Sequence, residues 1–94
     1  MSKLLILFTM KNCPFCHIMK EQLDSEGIKF HDRDIDEHSE EYELFVEITE
    51  NDYVPAFMII EDTGKEEVPL LFAPDRDFTG IEHGVEIIKE HFTK

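Results

Sequence analysis

Only two cysteines and nine basic residues occur in this chain of 94 residues. Two cysteines cannot build the disulfide framework of a small secreted domain, nor complete a four-ligand zinc site unaided. The nine Lys and Arg stand against 22 Asp and Glu, for a formal net charge of −13. A surface so poor in cations repels phosphate backbones and anionic lipid headgroups, which excludes nucleic-acid and membrane binding. No apolar run approaches the roughly 20 residues of a membrane helix, and the opening run Leu4–Phe8 is too short for the core of a secretory signal. The expected location is therefore the cytoplasm, where cysteines stay reduced unless redox chemistry is their task. Repeats, low-complexity segments and Pro/Gly/Ser-rich linkers are missing too, so residues 1–94 read as one domain.

What is present suffices for a packed interior: 41% hydrophobic residues beside 33% charged ones. Leu4–Phe8 is continuously apolar, the pattern of a strand buried on both faces. A helix is expected from Pro14 to about Glu26, with Pro14 in the first turn and Phe15, Ile18, Met19 and Leu23 at helical spacing. Gly27 stops it, and Ile28–Ile35 reads as a more polar edge strand. Ser39 can cap a second helix in which Tyr42, Phe45, Val46 and Thr49 form the buried stripe, closed by Asn51-Asp52. Ala56–Ile60 and Val68–Phe72 read as strands joined through the turn Asp62-Thr63-Gly64-Lys65, hence as an antiparallel hairpin. Thr79 and Glu82 have capping-box spacing before a last helix carrying Ile81, Val85, Ile88 and Phe92 on one face, with Gly84 permitting close approach to the sheet. The order β-α-β-α-β-β-α, with a right-handed first crossover, predicts an α/β fold: a four-stranded mixed sheet with helices on both faces.

Cys13-Pro14-Phe15-Cys16 falls where the first strand hands over to the first helix. A C-x-x-C pair in this position reads as a dithiol redox motif. Free N–H groups and the positive end of the helix dipole favour an anionic sulfur at Cys13, and the thiolate is the attacking species in disulfide exchange. Cys16, one turn on, can resolve the mixed disulfide; Pro14 fixes the turn, and Lys11 adds a positive charge two residues upstream. Cys13–His17 also matches the haem-attachment pattern C-x-x-C-H. The missing export signal and the assignment of the apolar runs to strands tell against haem, and His17 reads as a helix-surface residue. A second feature is Tyr53-Val54-Pro55-Ala56, where Pro55 belongs at the first residue of a strand because it cannot donate to a ladder. A trans bond would simply start the strand, whereas a cis Val54–Pro55 bond would turn the backbone groups of Val54 outward toward a peptide-like substrate.

Together these features resemble the thioredoxin superfamily, and most closely its glutaredoxin branch, over roughly residues 3 to 60. The resemblance rests on the strand Leu4–Phe8, Lys11, Cys13-Pro14-Phe15-Cys16, the stretch Gly27 to Asp36, and Val54-Pro55. It implies a thioredoxin-like fold, thiol–disulfide exchange by Cys13 and Cys16, a cis Pro55, and a glutathione site lined by Lys11, Phe15 and the backbone of Val54. Thioredoxins proper carry a tryptophan before the first cysteine and Gly-Pro between the pair; this chain has no Trp. Tyr53 stands where glutaredoxins commonly have Thr. Thr79-Gly80-Ile81-Glu82 stands where they place Gly-Gly and an Asp for the γ-glutamyl end of glutathione, so Gly80 and Glu82 are the matching positions. Phe78-Thr79-Gly80 is similar to the corresponding end of thioredoxins, and Ala73–Asp77 is a longer and more charged connection than glutaredoxins have.

The carboxylates are unevenly spread: residues 1–30 hold four basic and three acidic residues, residues 31–94 five and nineteen. The dense run Asp32–Glu43 lacks the glycine and ligand spacing of a calcium loop and reads as solvated, and His31, His38, His83 and His91 form no ligand set, so no metal site is expected. The expectation is a monomeric cytoplasmic dithiol oxidoreductase with no bound cofactor, acting on disulfide-containing proteins or glutathione mixed disulfides with glutathione as co-substrate. Its acidic remainder is expected to disfavour anionic protein partners. The alternatives are a thioredoxin-like protein served by a thioredoxin reductase, and a dimer holding an iron–sulfur cluster through Cys13 and glutathione.

Overall fold

The computed structural model describes residues 2–62 and 64–92. Strand β1 (Ser2–Thr9) is central, in the sheet order β2-β1-β3-β4. It pairs parallel with β2 (His31–Asp34), Ile6 opposite His31, and antiparallel with β3 (Ala56–Asp62), Leu5 opposite Ile59. β4 (Glu67–Phe72) closes the hairpin with β3, Ile59 opposite Leu70. Both edges follow from composition: β2 is His-Asp-Arg-Asp, and β4 carries Pro69, which cannot donate to a ladder.

The strand alternation sorts the apolar residues into two layers. Leu5, Leu7, Phe57 and Ile59 face helices α1 (Pro14–Ser25) and α3 (Gly80–Phe92), packing with Met19, Leu23, Val85 and Ile88. Ile6, Phe8 and Ala56 face the other way, against Phe45 of α2 (Ser39–Thr49) with Tyr42 beside it. The continuous apolar run in β1 is thus spent on both faces, and each fully buried Leu or Phe contributes about 2 kcal/mol. Among the described residues no helix is long and apolar enough to cross a membrane.

Several local expectations are corrected. The buried stripe of α1 is Cys16, Met19 and Leu23; Phe15 and Ile18 point outward. Residues 28–30 do not join β2, because the Ile28 N–H bonds back to the Leu23 carbonyl and the Gly27 N–H to that of Asp24, wrapping the chain under the end of α1. His38, not Ser39, precedes α2 as its cap residue, its side chain making no capping hydrogen bond among the described residues, and Glu50 rather than Asn51 takes the left-handed conformation that ends it. The Thr79–Glu82 capping box does not form: the Thr79 N–H donates to His83 Nδ1 at 3.0 Å. Gly84 makes its close approach to Met19 of α1 and Phe78, not to the sheet. In the β3–β4 turn, Gly64 has a φ of 88° and donates to Asp62 Oδ1 at 2.8 Å; Thr63 lies outside the described residues.

Candidate active site

The end of β1 is fastened before the cysteines begin. Buried Thr9 donates through Oγ1 to Asp32 Oδ1 at 2.5 Å, and Lys20 Nζ reaches Asp32 Oδ2 at 3.0 Å, so one β2 carboxylate ties β1 to α1. The chain then turns through Lys11 and Asn12, the latter at a φ of 60°, and presents Cys13 in extended geometry as the cap of α1. Pro14 occupies the first helical position, where no N–H is needed. The Cys13 Sγ accepts from the Cys16 N–H at 3.2 Å. Cys13 and Cys16 are joined as a disulfide with their Cα atoms 5.3 Å apart.

The two sulfur-bearing residues differ in access. Cys16 is 1% exposed, on the buried face of α1, whereas Cys13 is half-buried. No carboxylate occupies the first turn of α1 to oppose a negative sulfur there. Lys11 is exposed in the preceding turn, and Pro14 is exposed beside Phe15. His17 pairs with Glu21 at 2.8 Å along the helix surface.

Beside the motif runs a groove of about 350 Å³. One wall is Phe15, a second is Tyr53-Val54-Pro55, and the third is Pro74, Asp75, Phe78, Gly80 and Ile81. The Val54–Pro55 peptide bond is cis. Pro55 and Ala56 are buried at the mouth of β3, while Phe15 and Tyr53 are each 62% exposed. The second and third walls are tied together by Asn51, whose Nδ2 donates to the Pro74 carbonyl at 2.7 Å while its Oδ1 accepts from the Tyr53 N–H at 3.0 Å.

The third wall is a closed loop. The Asp75 N–H donates to the Phe78 carbonyl at 2.8 Å, and Asp77 Oδ2 accepts from the Ala73 N–H at 2.8 Å and from Arg76 Nη1 at 3.0 Å. The Arg76 cation is therefore spent on Asp77, and Asp75, at a φ of 63°, is the one carboxylate among the residues lining the groove.

Of the residues marked in the sequence, the groove brings together Phe15, Tyr53, Val54, Pro55 and Gly80. Glu82 is not among them: it lines a separate depression with Gln22, Ser25 and Glu26 at the far end of α1. Asn51, Pro74, Asp75, Phe78 and Ile81 were not anticipated in the site; the length and charge of the 73–77 connection signalled Pro74 and Asp75, the resemblance of the 78–82 stretch bore on Phe78 and Ile81, and Asn51 had no signal of this kind. A larger depression, about 740 Å³, lies at the opposite end of the sheet around Lys3, Gly27 and Phe30 and contains no cysteine. Among the described residues no group of His, Cys, Asp and Glu could hold a metal ion.

A βαβ unit followed by a hairpin and helix, with a Cys-x-x-Cys pair heading α1 and a cis-proline heading β3, defines a thioredoxin-like fold. The Glutaredoxin family model matches residues 5–77, so the chain belongs to the glutaredoxin family. That match stops before Thr79–Glu82. A wheat glutaredoxin structure superposes with a TM-score of 0.57 at 18% identity, covering 92% of this chain and 69% of that one. A structure described as a malarial protein gives 0.54 at 15% identity, covering 98% of this chain and 99% of the other. These are likenesses of fold. No curated protein matches.

Proposed function

We propose that the chain is a dithiol glutaredoxin that reduces disulfides of proteins and glutathione mixed disulfides, with Cys13 as nucleophile and Cys16 as resolving thiol. The observation that carries this is the unequal access of the two cysteines at one helix start: Cys13 half-buried as the cap, Cys16 1% exposed on the buried face of the first turn. In the reduced protein the Cys13 thiolate attacks one sulfur of the substrate disulfide and releases the other half as a thiolate. The Cys16 thiolate then attacks Cys13, closes the internal disulfide and releases the second half. Two electrons pass to the substrate, and the two protons lost by the dithiol are taken up by the departing thiolates. Two molecules of reduced glutathione restore the dithiol and leave as glutathione disulfide; thioredoxin reductase is the alternative donor. Lys11, Phe15, Tyr53 and the backbone of Val54 are the groups we assign to substrate contact, and no resident cofactor takes part. This chemistry belongs in a reducing compartment, so we place the protein in the cytoplasm, as a monomer.

Turnover with a peptide disulfide under glutathione tests the assignment. Cys13→Ser is expected to abolish it. Cys16→Ser is expected to form the first mixed disulfide at the wild-type rate and then to stall or depend wholly on glutathione. A Cys13→Ser variant as active as the wild type would overturn the proposal.

A further inference from the structure

We infer that Asp75 makes the groove selective for disulfides whose cysteine is flanked by an apolar side chain and a Lys or Arg, and discriminates against carboxylate-bearing partners, glutathione included. This rests on the thiol–disulfide reading of the same site. The apolar part of the requirement comes from Phe15, Val54, Pro55, Phe78 and Ile81, which give the groove a mostly hydrocarbon lining. The charge part comes from the way the 73–78 loop spends its ions. Asp77 is consumed by the Ala73 N–H and Arg76, and Arg76 is consumed by Asp77. Among the described residues the Asp75 carboxylate has no partner, and its backbone is fixed by the bond to Phe78 and by the bridge between Pro74 and Phe78. Asn51 holds that loop against the Tyr53 wall. The groove residues include no Lys or Arg to offset the carboxylate.

A peptide cation entering the groove therefore meets the Asp75 carboxylate, carried on a held backbone at an apolar surface, where Coulomb attraction is stronger than in open water; Lys11 is not among the residues lining the groove. Glutathione brings two carboxylates and one ammonium, a net negative ligand, to the same charge. The net charge of −13 adds a long-range field of the same sign, which salt screens; the local effect of Asp75 is screened less because it acts at contact.

The test uses three peptides with one cysteine beside a leucine, each as the mixed disulfide with 2-mercaptoethanol, flanked by Lys, Gln or Glu. Single-turnover rates with the reduced full chain give the Lys-to-Glu rate ratio. The ratio is expected to exceed one in the wild type and to fall about threefold in Asp75→Asn, the size of an exposed ion pair. Glu43→Gln removes an exposed α2 carboxylate outside the groove and makes the same change in net charge; it should leave the ratio near the wild-type value. The rate with oxidised glutathione should rise in Asp75→Asn and not in Glu43→Gln. A wild-type ratio of one, or equal falls in both variants, would overturn the assignment to Asp75 while leaving the dithiol chemistry intact. Failure of the wild type on all three peptides would overturn the chemistry itself, and the selectivity with it.

Discussion

Asn51 donates to the Pro74 carbonyl at 2.7 Å across 23 positions of sequence, and so joins the loop before the cis-proline to the loop before α3. The same side chain accepts from the Tyr53 N–H at 3.0 Å, so both of its polar ends are used. The relationship turns two loops into the walls of one groove. Asn51 follows directly on Glu50, whose left-handed conformation ends α2.

Replacing Asn51 by Ala removes both bonds and touches neither cysteine. Stability is expected to fall by about 1 kcal/mol, and KM for a peptide disulfide to rise about fivefold, the value of one hydrogen bond. Because the chemistry is unchanged, kcat should hold. Asn51→Asp keeps the acceptor for Tyr53 and loses only the donor to Pro74. A KM effect in Asp as large as in Ala would assign the positioning to the Pro74 bond. Steady-state kinetics beside denaturant unfolding separate the two effects.

Gly84 sets the seating of α3. A Cβ there would lie 2.9 Å from Met19 Cε and 3.1 Å from the Phe78 ring. The Met19 methyl can swing aside, but the Phe78 ring is buried and tilted against Phe57 with centroids 5.1 Å apart. Gly84→Ala gains about 1 kcal/mol of helix propensity and loses about 2 to overpacking, for a net loss of about 1 kcal/mol. Phe78 also lines the groove, so KM should rise in the same variant. A variant more stable than the wild type would show that the ring yields freely.

Much of this was legible in advance, for a physical reason. Strands such as Leu4–Phe8, and helices with an apolar stripe, are specified by local periodicity, and Cys13 at a strand-to-helix junction announces its chemistry by position alone. The groove was only half legible. Val54-Pro55 marks itself because proline is restricted at a strand mouth, whereas Asn51, Asp75 and Phe78 enter the site through contacts between segments that no local pattern encodes. Glu82 shows the converse. It had capping spacing, but His83 takes the Thr79 N–H and Glu82 turns to the far end of α1. Asp32 looked like one carboxylate in a solvated run, yet it is bonded to Thr9 and Lys20.

Asp32 accordingly carries a prediction of its own. Asp32→Ala leaves the hydroxyl of buried Thr9 without this partner and should cost about 1–2 kcal/mol. Asp32→Asn retains an oxygen for Thr9 and loses only the charge facing Lys20, an exposed pair whose loss costs about 0.5 kcal/mol. Lys20→Ala should match the Asn variant. Equal losses in Ala and Asn would place the contribution in the ion pair and not in the Thr9 bond.

Tyr42 couples the second core layer to alkaline pH. Its ring packs against Phe8 and Phe45 with centroids 5.6 and 6.4 Å away, while its hydroxyl is buried with no hydrogen-bond partner among the described residues. Burial, and then the carboxylate of Asp52, raise its pKa above the ordinary value of 10.0. With the folded pKa raised, the unfolded chain releases its proton first as pH climbs. The folded state therefore binds more protons above about pH 10, and stability, unaffected by this group at lower pH, falls through that range. Tyr42→Phe keeps the ring contacts and removes both the unpartnered hydroxyl and the titration. It should be more stable than the wild type by about 1 kcal/mol at neutral pH, and the margin should widen toward about pH 11. Asp52→Asn, which removes only the second cause, should reduce the alkaline loss without abolishing it. Unfolding curves of the three proteins at neutral and alkaline pH decide the matter: a Phe variant that loses stability as steeply as the wild type would mean that other groups govern the alkaline limit.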